Sequence, residues 1–449
     1  MIAKRTFDIV VATIEASLAP MAATGMLVDG VLTDSTSFGG ATTNTRFRIA
    51  SMTKSFTAAL TLLLRDEGVL ELETPVRDLA PELTPLDAAT ERAWPAAPTP
   101  LTLRHLLTMS SGLPEDDAWA DRHLDCSASE FEAMLQTGVF SIFAPGTSYE
   151  YSNIGYGSIG RVIERVTGRT AQDLIVERIL APLGMASTGW KVPDADVDWA
   201  KPYRKVADGV EIEPHLPGDG VIAPMGGLWS TVEDLARWVR FLSDPTRPGP
   251  VSAGSRLEMA AIHTPIMAEA NLPLGGGYGM GLTRFFDRIA GPVIGHSGGL
   301  PGYGSNMSWQ ADGSIGIIAL ANITYARMFS MNRIVMRNLV QSTVSDLGPM
   351  GDLGSRLVAL LNDWSDVDAD ALFADNVGPD ESFARRRAQA SRLVDEHGPF
   401  EVVVVEPKHH ARATITLLGT RSHRLLTCEL SRSPHAEARV QHYRVLEEP

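Results

Sequence analysis

Phe47-Arg48-Ile49-Ala50-Ser51-Met52-Thr53-Lys54-Ser55-Phe56-Thr57-Ala58 is the stretch on which the reading of this chain turns. A lysine follows a serine by three positions, and lysine is rare here. Of 39 basic residues, only Lys4, Lys54, Lys191, Lys201, Lys205 and Lys408 are lysines. Lysine can give up its proton and act as a base, whereas arginine stays charged at any workable pH. Met52, Phe56, Ala59 and Leu63 recur at four- and three-residue steps and Gly68 supplies a stop, which predicts a helix. Positions three apart share a helical face, so Ser51 and Lys54 are expected to be neighbours. Ser51 would stand at the helix N-terminus, where unpaired N–H groups and the dipole favour negative charge. Taken alone, Ser-x-x-Lys arises often by chance and reads as well as a capping serine with a surface lysine.

Working outward, Phe7, Val10, Val11, Ile14 and Leu18 form the stripe of an amphipathic first helix. Asp8 and Glu15 interrupt it as a signal-peptide core would not tolerate, so the expected location is cytoplasmic. Gly25–Val28 and Val31–Ser37 flank Asp29-Gly30, a short hairpin signal. Prolines 75, 81, 85, 95, 98 and 100 mark a surface excursion. Helices are expected near 103–109, 129–137, 154–167, 171–181, 231–243 and 327–344. Glycine-divided β-runs fall at Tyr278–Thr283, Val293–His296, Ser305–Trp309 and Ile315–Leu320. Strands near both ends with helices between predict an α+β unit: one antiparallel sheet flanked by helices with a helical insert. Gly348-Pro349-Met350-Gly351 reads as a linker. Two helical stretches near 352–362 and 380–396 and four β-runs follow it: Phe400–Val405, Ala411–Leu417, Arg424–Leu430 and Val440–Leu446. That order is a small C-terminal α+β domain, cystatin-like or nuclear-transport-factor-like by analogy. A length of 449 residues suits two domains, taken as 1–347 and 352–449.

A formal charge of −15 argues against nucleic acid and anionic membrane surfaces. No apolar run reaches the roughly 18 residues of a membrane span. Cys126 and Cys428 stand far apart without metal-ligand spacing or a disulfide framework, and no His-Glu-x-x-His occurs. Neither a metal nor another cofactor is called for. The expected partner is a small molecule or short peptide, and the oligomeric state is open.

Acyl transfer through serine needs a base, a proton path to the leaving group and an oxyanion hole. Ser51 and Lys54 supply the first pair. Tyr151-Ser152-Asn153 precedes a helix, so its tyrosine can point into a cleft. Beside a lysine ammonium the phenolate of Tyr151 is expected to be favoured. The Asn153 amide can reach both Lys54 and a substrate carbonyl. Gly295-His296-Ser297-Gly298-Gly299 follows an apolar strand, and its glycines let substrate approach the backbone. The Gly299 and Ser51 N–H groups are candidate oxyanion donors. His296 is a candidate to polarise the tyrosine or meet a substrate carboxylate. Each motif alone also reads blandly, as a loop tyrosine with a capping asparagine or a glycine-rich turn with a capping serine.

In the order Ser-x-x-Lys, Tyr-x-Asn, His-Ser-Gly, the set resembles the serine beta-lactamase and penicillin-binding superfamily. The branch is that of class C beta-lactamases, D-alanyl-D-alanine carboxypeptidases, D-aminopeptidases and related esterases. The likeness runs over about residues 5–345 and includes Leu101–Pro114, Met225–Thr231 and the run from Ala144 to Trp190. It implies Ser51 as the acylated nucleophile, Lys54 and Tyr151 as its base system, and Asn153, His296, Ser297, Gly298 and Gly299 as substrate contacts. Class C enzymes carry lysine where this chain has His296, which points to an esterase or peptidase rather than an efficient beta-lactamase. The leading expectation is a cofactor-free serine hydrolase acting on a small ester, amide or D-amino-acid peptide. Acyl transfer from the same acyl-enzyme and a non-catalytic binding module on the same fold are the alternatives. Gly295–Gly299 also fits Gly-x-Ser-x-Gly, the α/β-hydrolase elbow, but that elbow needs a helix directly after Ser297. Tyr149, Met225, Trp229 and Tyr303 are further pocket candidates.

Overall fold

Asp29-Gly30 closes the first hairpin, with both residues in the left-handed region that such two-residue turns require. In the computed structural model this hairpin joins β1 (Ala22–Val28) to β2 (Val31–Phe38). The structure describes Ile9 and residues 18–83, 86–87, 92–93, 100–191, 197–214, 218–266, 275–342 and 348–447. The expected first helix, apart from Ile9 and Leu18, and Pro85, Pro95 and Pro98 of the surface excursion lie outside them.

β1 and β2 form one end of an eight-stranded sheet. Its other members are β3 (Thr264–Ile266), β4 (Gly276–Tyr278), β5 (Thr283–Asp287), β6 (Gly291–Leu300), β7 (Tyr303–Gln310) and β8 (Ile315–Ala321). The order is β3-β4-β5-β6-β7-β8-β1-β2, antiparallel throughout. Strands from the two ends of the domain thus meet where Ala22 pairs with Ala321. The β-run expected at Tyr278–Thr283 is instead the turn between β4 and β5. Gly281 adopts a positive φ there, and the Gly279 N–H bonds the Leu282 carbonyl at 2.7 Å.

Helix α1 (Thr53–Asp66) is buried on nearly its whole circumference, so it is a central element rather than an amphipathic surface helix. Its polar side chains find internal partners: Thr57 Oγ1 donates to the Pro224 carbonyl, and Ser55 Oγ accepts from Trp238 Nε1. Phe56 stacks on Trp238 at 4.2 Å. Trp238 belongs to α3 (Val232–Ser243), capped by Thr231 and packed on β1, β7 and β8. Between them in sequence, α2 (Asn153–Thr167) packs on α1. Helix 171–175 continues into a wider turn over 176–180.

The described residues divide into two compact units. One is built on Leu18–Asp287 and Gly291–Asn332. The other holds Arg333–Pro449 with Arg288–Ala290 and Ile9, so it includes the last two thirds of α4 (Met328–Ser342). In it, Arg337 makes a buried pair with Glu406 at 2.6 Å, and Asn338 Nδ2 donates to the Val403 carbonyl at 2.6 Å. The segment read as a linker begins helix α5 (Gly348–Asn362). Pro349 suits a first helical turn, and burial of Met350, Leu353 and Leu357 outweighs the local glycines. With α6 (Phe383–His397), α5 accompanies a four-stranded antiparallel sheet. Its strands are β9 (Phe400–His409), β10 (Arg412–Gly419), β11 (Leu425–Arg432) and β12 (Val440–Glu447). Leu357, Ile415, Leu417, Cys428 and Leu430 share its core, separate from the core around α1. Both units are α+β.

Candidate active site

Ser51 sits in a short 3₁₀ turn, Ala50–Met52, directly before α1. Ala50 before it has a φ of 50°, a conformation that costs a residue with a Cβ about 1–2 kcal/mol. Such strain marks positions that the surrounding structure holds for a purpose. One turn on, Lys54 is fully buried, and its Nζ lies 2.9 Å from Ser51 Oγ. The same amine donates to Asn153 Oδ1 at 2.6 Å and to the Met225 carbonyl at 2.8 Å, so all three of its N–H directions are used. Burial lowers the Lys54 pKa to about 8, against the opposing pull of Asp117, Asp116 and Asp121.

Tyr151-Ser152-Asn153 is fixed by the start of α2. Ser152 is the N-cap, and Asp116 accepts the backbone N–H groups of Asn153 and Ile154 at 2.8 Å each. This seats Tyr151 just outside the helix and Asn153 at its first position. The Tyr151 hydroxyl bonds Ser51, and Lys54 Nζ lies 4.8 Å from the centre of the Tyr151 ring. The phenolate expectation for Tyr151 fails. Burial, joined by the nearby Asp117 carboxylate, raises its pKa well above the ordinary phenol value, so it is a neutral phenol. A lysine charge alone would favour the phenolate, but desolvation of the buried phenol outweighs it.

Ser51, Lys54, Tyr151 and Asn153 therefore form one connected group, assembled from segments about 100 residues apart. The chain matches the family model described as Beta-lactamase over residues 10–341. It belongs to the Beta-lactamase family. Protein Rv1367c of Mycobacterium tuberculosis is 31% identical over 324 residues, covering 64% of this chain and 80% of that protein. Among solved structures, the octameric penicillin-binding protein homologue from Pyrococcus abyssi has a TM-score of 0.65 at 22% identity, with full coverage of both chains. EstCE1, described as a hydrolase with promiscuous acyltransferase activity, has a TM-score of 0.63 at 19% identity. That match covers 76% of this chain and 98% of EstCE1. The two structures carry the likeness of fold.

In this member of the Beta-lactamase family the third motif lies inside β6 rather than on a turn. Pairing of β6 with β5 ends at Gly295, whereas pairing with β7 runs on through Gly299 and Leu300. Residues 296–300 thus present an edge without a β5 partner beside Ser51. Gly298 is needed for the fit: a Cβ there would stand 2.2 Å from the Ile49 carbonyl oxygen, just before the 3₁₀ turn. Ser297 is held in mid-strand, its Oγ accepting from Asn306 Nδ2 at 2.9 Å. No helix follows it, so the strand–turn–helix elbow is absent at Ser297.

His296 does not bond Tyr151. Its Nε2 meets the Tyr278 hydroxyl at 2.9 Å and its Nδ1 the Ser297 carbonyl at 2.5 Å, which makes Nε2 the acceptor. Burial, with Lys54 adding to it, drops the His296 pKa to about 3, so the ring is neutral. A cleft of about 390 Å³ opens beside Ser51, lined also by Tyr151, His296, Ser297, Gly298 and Gly299. Asn153 lies behind Lys54 rather than on the cleft wall. Of the further pocket candidates, Tyr149 lines the cleft and Met225 contributes only its carbonyl. Trp229 and Tyr303 pack against each other in the core, with the Tyr303 hydroxyl on the Ala200 carbonyl.

Sequence reasoning missed Asp117, Tyr278, Thr283, Phe285, Tyr325 and Phe329 on the same walls. One signal was available: the adjacent Asp116-Asp117, just before a helical stretch, resembles capping chemistry with a carboxylate to spare. Among the described residues no group of three metal-ligating side chains occurs, and no helix is long and apolar enough to cross a membrane.

Proposed function

We propose that the chain is a serine hydrolase that opens small esters, amides or D-amino-acid peptides through an acyl-enzyme on Ser51. One observation carries this reading: a water-excluded lysine amine, lowered in pKa, lies 2.9 Å from a serine hydroxyl on the wall of a cleft. Neutral Lys54 takes the Ser51 proton as Oγ attacks the carbonyl carbon. The tetrahedral intermediate collapses with loss of the alcohol or amine. Tyr151, a neutral phenol bonded to Ser51, relays the proton from Lys54 to that leaving group. Water then attacks the Ser51 ester, gives its proton back along the same path and releases the acid. The N–H groups of Ser51 and Gly299 are assigned as the donors for the oxyanion. Asn153 and the Met225 carbonyl hold the lysine in line.

Neutral His296, occupied by Tyr278, offers no positive charge for a substrate carboxylate. That supports an esterase or amidase over an efficient beta-lactamase. Acyl transfer to an alcohol is the second reading, favoured by the ring-lined cleft, in which an apolar acceptor competes well with water.

Mass spectrometry after treatment with a fluorophosphonate or an activated ester tests the proposal. An adduct on Ser51, absent from Ser51→Ala, is expected. An adduct on another residue, or none on folded protein, defeats it. Adding a small alcohol to an ester assay separates the two readings, since transfer yields a new ester in place of the free acid.

A further inference from the structure

The walls of the cleft beside Ser51 are unbalanced in charge, with the Lys54 amine held behind Ser51 rather than on them. Among the described residues its walls carry the rings of Tyr149, Tyr278, Phe285, Tyr325 and Phe329 and one carboxylate, Asp117, with no lysine or arginine. Phe285 and Phe329 meet edge to face at 6.0 Å, and Tyr149 and Tyr278 are tilted at 6.2 Å, so ring faces and edges surround the space from several sides. Two neighbouring carboxylates are occupied elsewhere. Asp116 holds the first N–H groups of α2, and Asp121 accepts the Tyr325 hydroxyl. Asp117 accepts from Asn153 Nδ2 through one oxygen at 2.5 Å, and its other oxygen has no hydrogen bond among the described residues. Lys54 makes no ion pair with it, because the lysine N–H groups go to Ser51, Asn153 and Met225.

Aromatic faces and a carboxylate attract a cation and repel an anion, most strongly where water is scarce. Resting on the Ser51 reading, we propose that the substrates are esters or amides bearing an organic ammonium group, seated between these rings and Asp117, and that carboxylate-bearing acyl donors are refused. Tyr325 supports the assignment of a shaped wall: it holds a positive φ of 51°, and its ring fills the space that a Cβ on Gly299 would need. The cation also serves the chemistry. Placed beside Asp117, it takes over the negative charge that favours a protonated Lys54, so substrate binding helps to deliver the neutral base.

Three small ligands of one shape decide the matter: choline, 3,3-dimethyl-1-butanol and 3,3-dimethylbutyrate, which are cationic, neutral and anionic. Each is titrated into wild-type protein by ligand-observed NMR and also tested as a competitive inhibitor of p-nitrophenyl acetate turnover. Choline is expected to bind at least tenfold more tightly than the alcohol, and the butyrate more weakly than either. Asp117→Asn should bring choline and the alcohol to within about threefold of each other. Equal affinities in the wild type, or the butyrate binding best, overturn the proposal. Ester turnover without a preference for choline defeats only the cation site. Tight choline binding by folded protein that hydrolyses no ester defeats the hydrolase reading and leaves the cation site standing. The wild-type comparison stands whether or not the variant folds.

Discussion

Lys54 gives up part of its affinity for a proton to burial, and the carboxylates around Asp117 return some of it. The balance near 8 sets the pH dependence. A base must be neutral to act, so kcat/KM for a neutral ester should climb with pH and level off above about 8. At pH 6 it should be roughly a hundredfold below the plateau, as a stopped-flow or plate assay would record. A flat profile between pH 6 and 9 would remove Lys54 from the base role. Lys54→Arg should be as inactive as Lys54→Ala, at least about a thousandfold down in kcat, because guanidinium cannot lose its proton. Tyr151→Phe keeps the ring under the amine but ends the relay. A loss of about a hundredfold or more in kcat with little change in KM is expected. The Ser51–Lys54 contact was legible because spacing by three fixes a shared helical face. The Lys54–Asn153 contact was expected from chemistry alone. Tyr278 reaches the cleft from the end of β4 and Asp117 from the start of a short helix, so no local period announces either, and only the adjacent Asp116-Asp117 hinted at a spare carboxylate.

The strand that borders the cleft works because β6 can approach the 3₁₀ turn closely at Gly298. Gly298→Ala would place a methyl group 2.2 Å from the Ile49 oxygen and 2.4 Å from Ser305 Oγ, contacts that only a backbone shift can relieve. The variant should lose about 1–3 kcal/mol of stability in denaturant titration. Its kcat should fall by more than that loss explains, since the shift moves β6 relative to Ser51. Unchanged activity would mean that β6 takes no part. At this scale most of the sequence reading corresponds to the structure. The four C-terminal strands and the Asp29-Gly30 hairpin lie within a few residues of their expected positions, because alternation and turn chemistry act locally. The failures are at Tyr278–Thr283 and Gly348–Gly351. At the first, glycines that read as strand breaks within a run make a turn; at the second, burial of Met350 and Leu353 carries a helix through a linker-like composition.

Across the whole molecule the units keep separate cores, yet the division falls inside α4 rather than at the glycine-proline segment that composition suggested. A fragment ending at residue 347 would keep Arg337 and Asn338 and lose Glu406 and the Val403 carbonyl, their partners. Such a fragment should aggregate or melt well below the full chain, which scanning calorimetry with light scattering would show. Glu406→Gln probes the same pair in the intact protein. Removing one partner of a buried pair typically costs about 3–5 kcal/mol. Because Arg337 lowers the Glu406 pKa, this contribution is present at neutral pH and fades as acid protonates the wild-type carboxylate. The gap between wild type and variant should therefore close on acidification. The two thiols complete the account at this scale. Cys126 and Cys428 are unpaired, and burial raises their pKa values to about 11 and about 12. With no covalent staple to break and no thiolate at neutral pH to oxidise, the protein's melting curve should be the same with and without dithiothreitol, so its endurance is indifferent to redox surroundings.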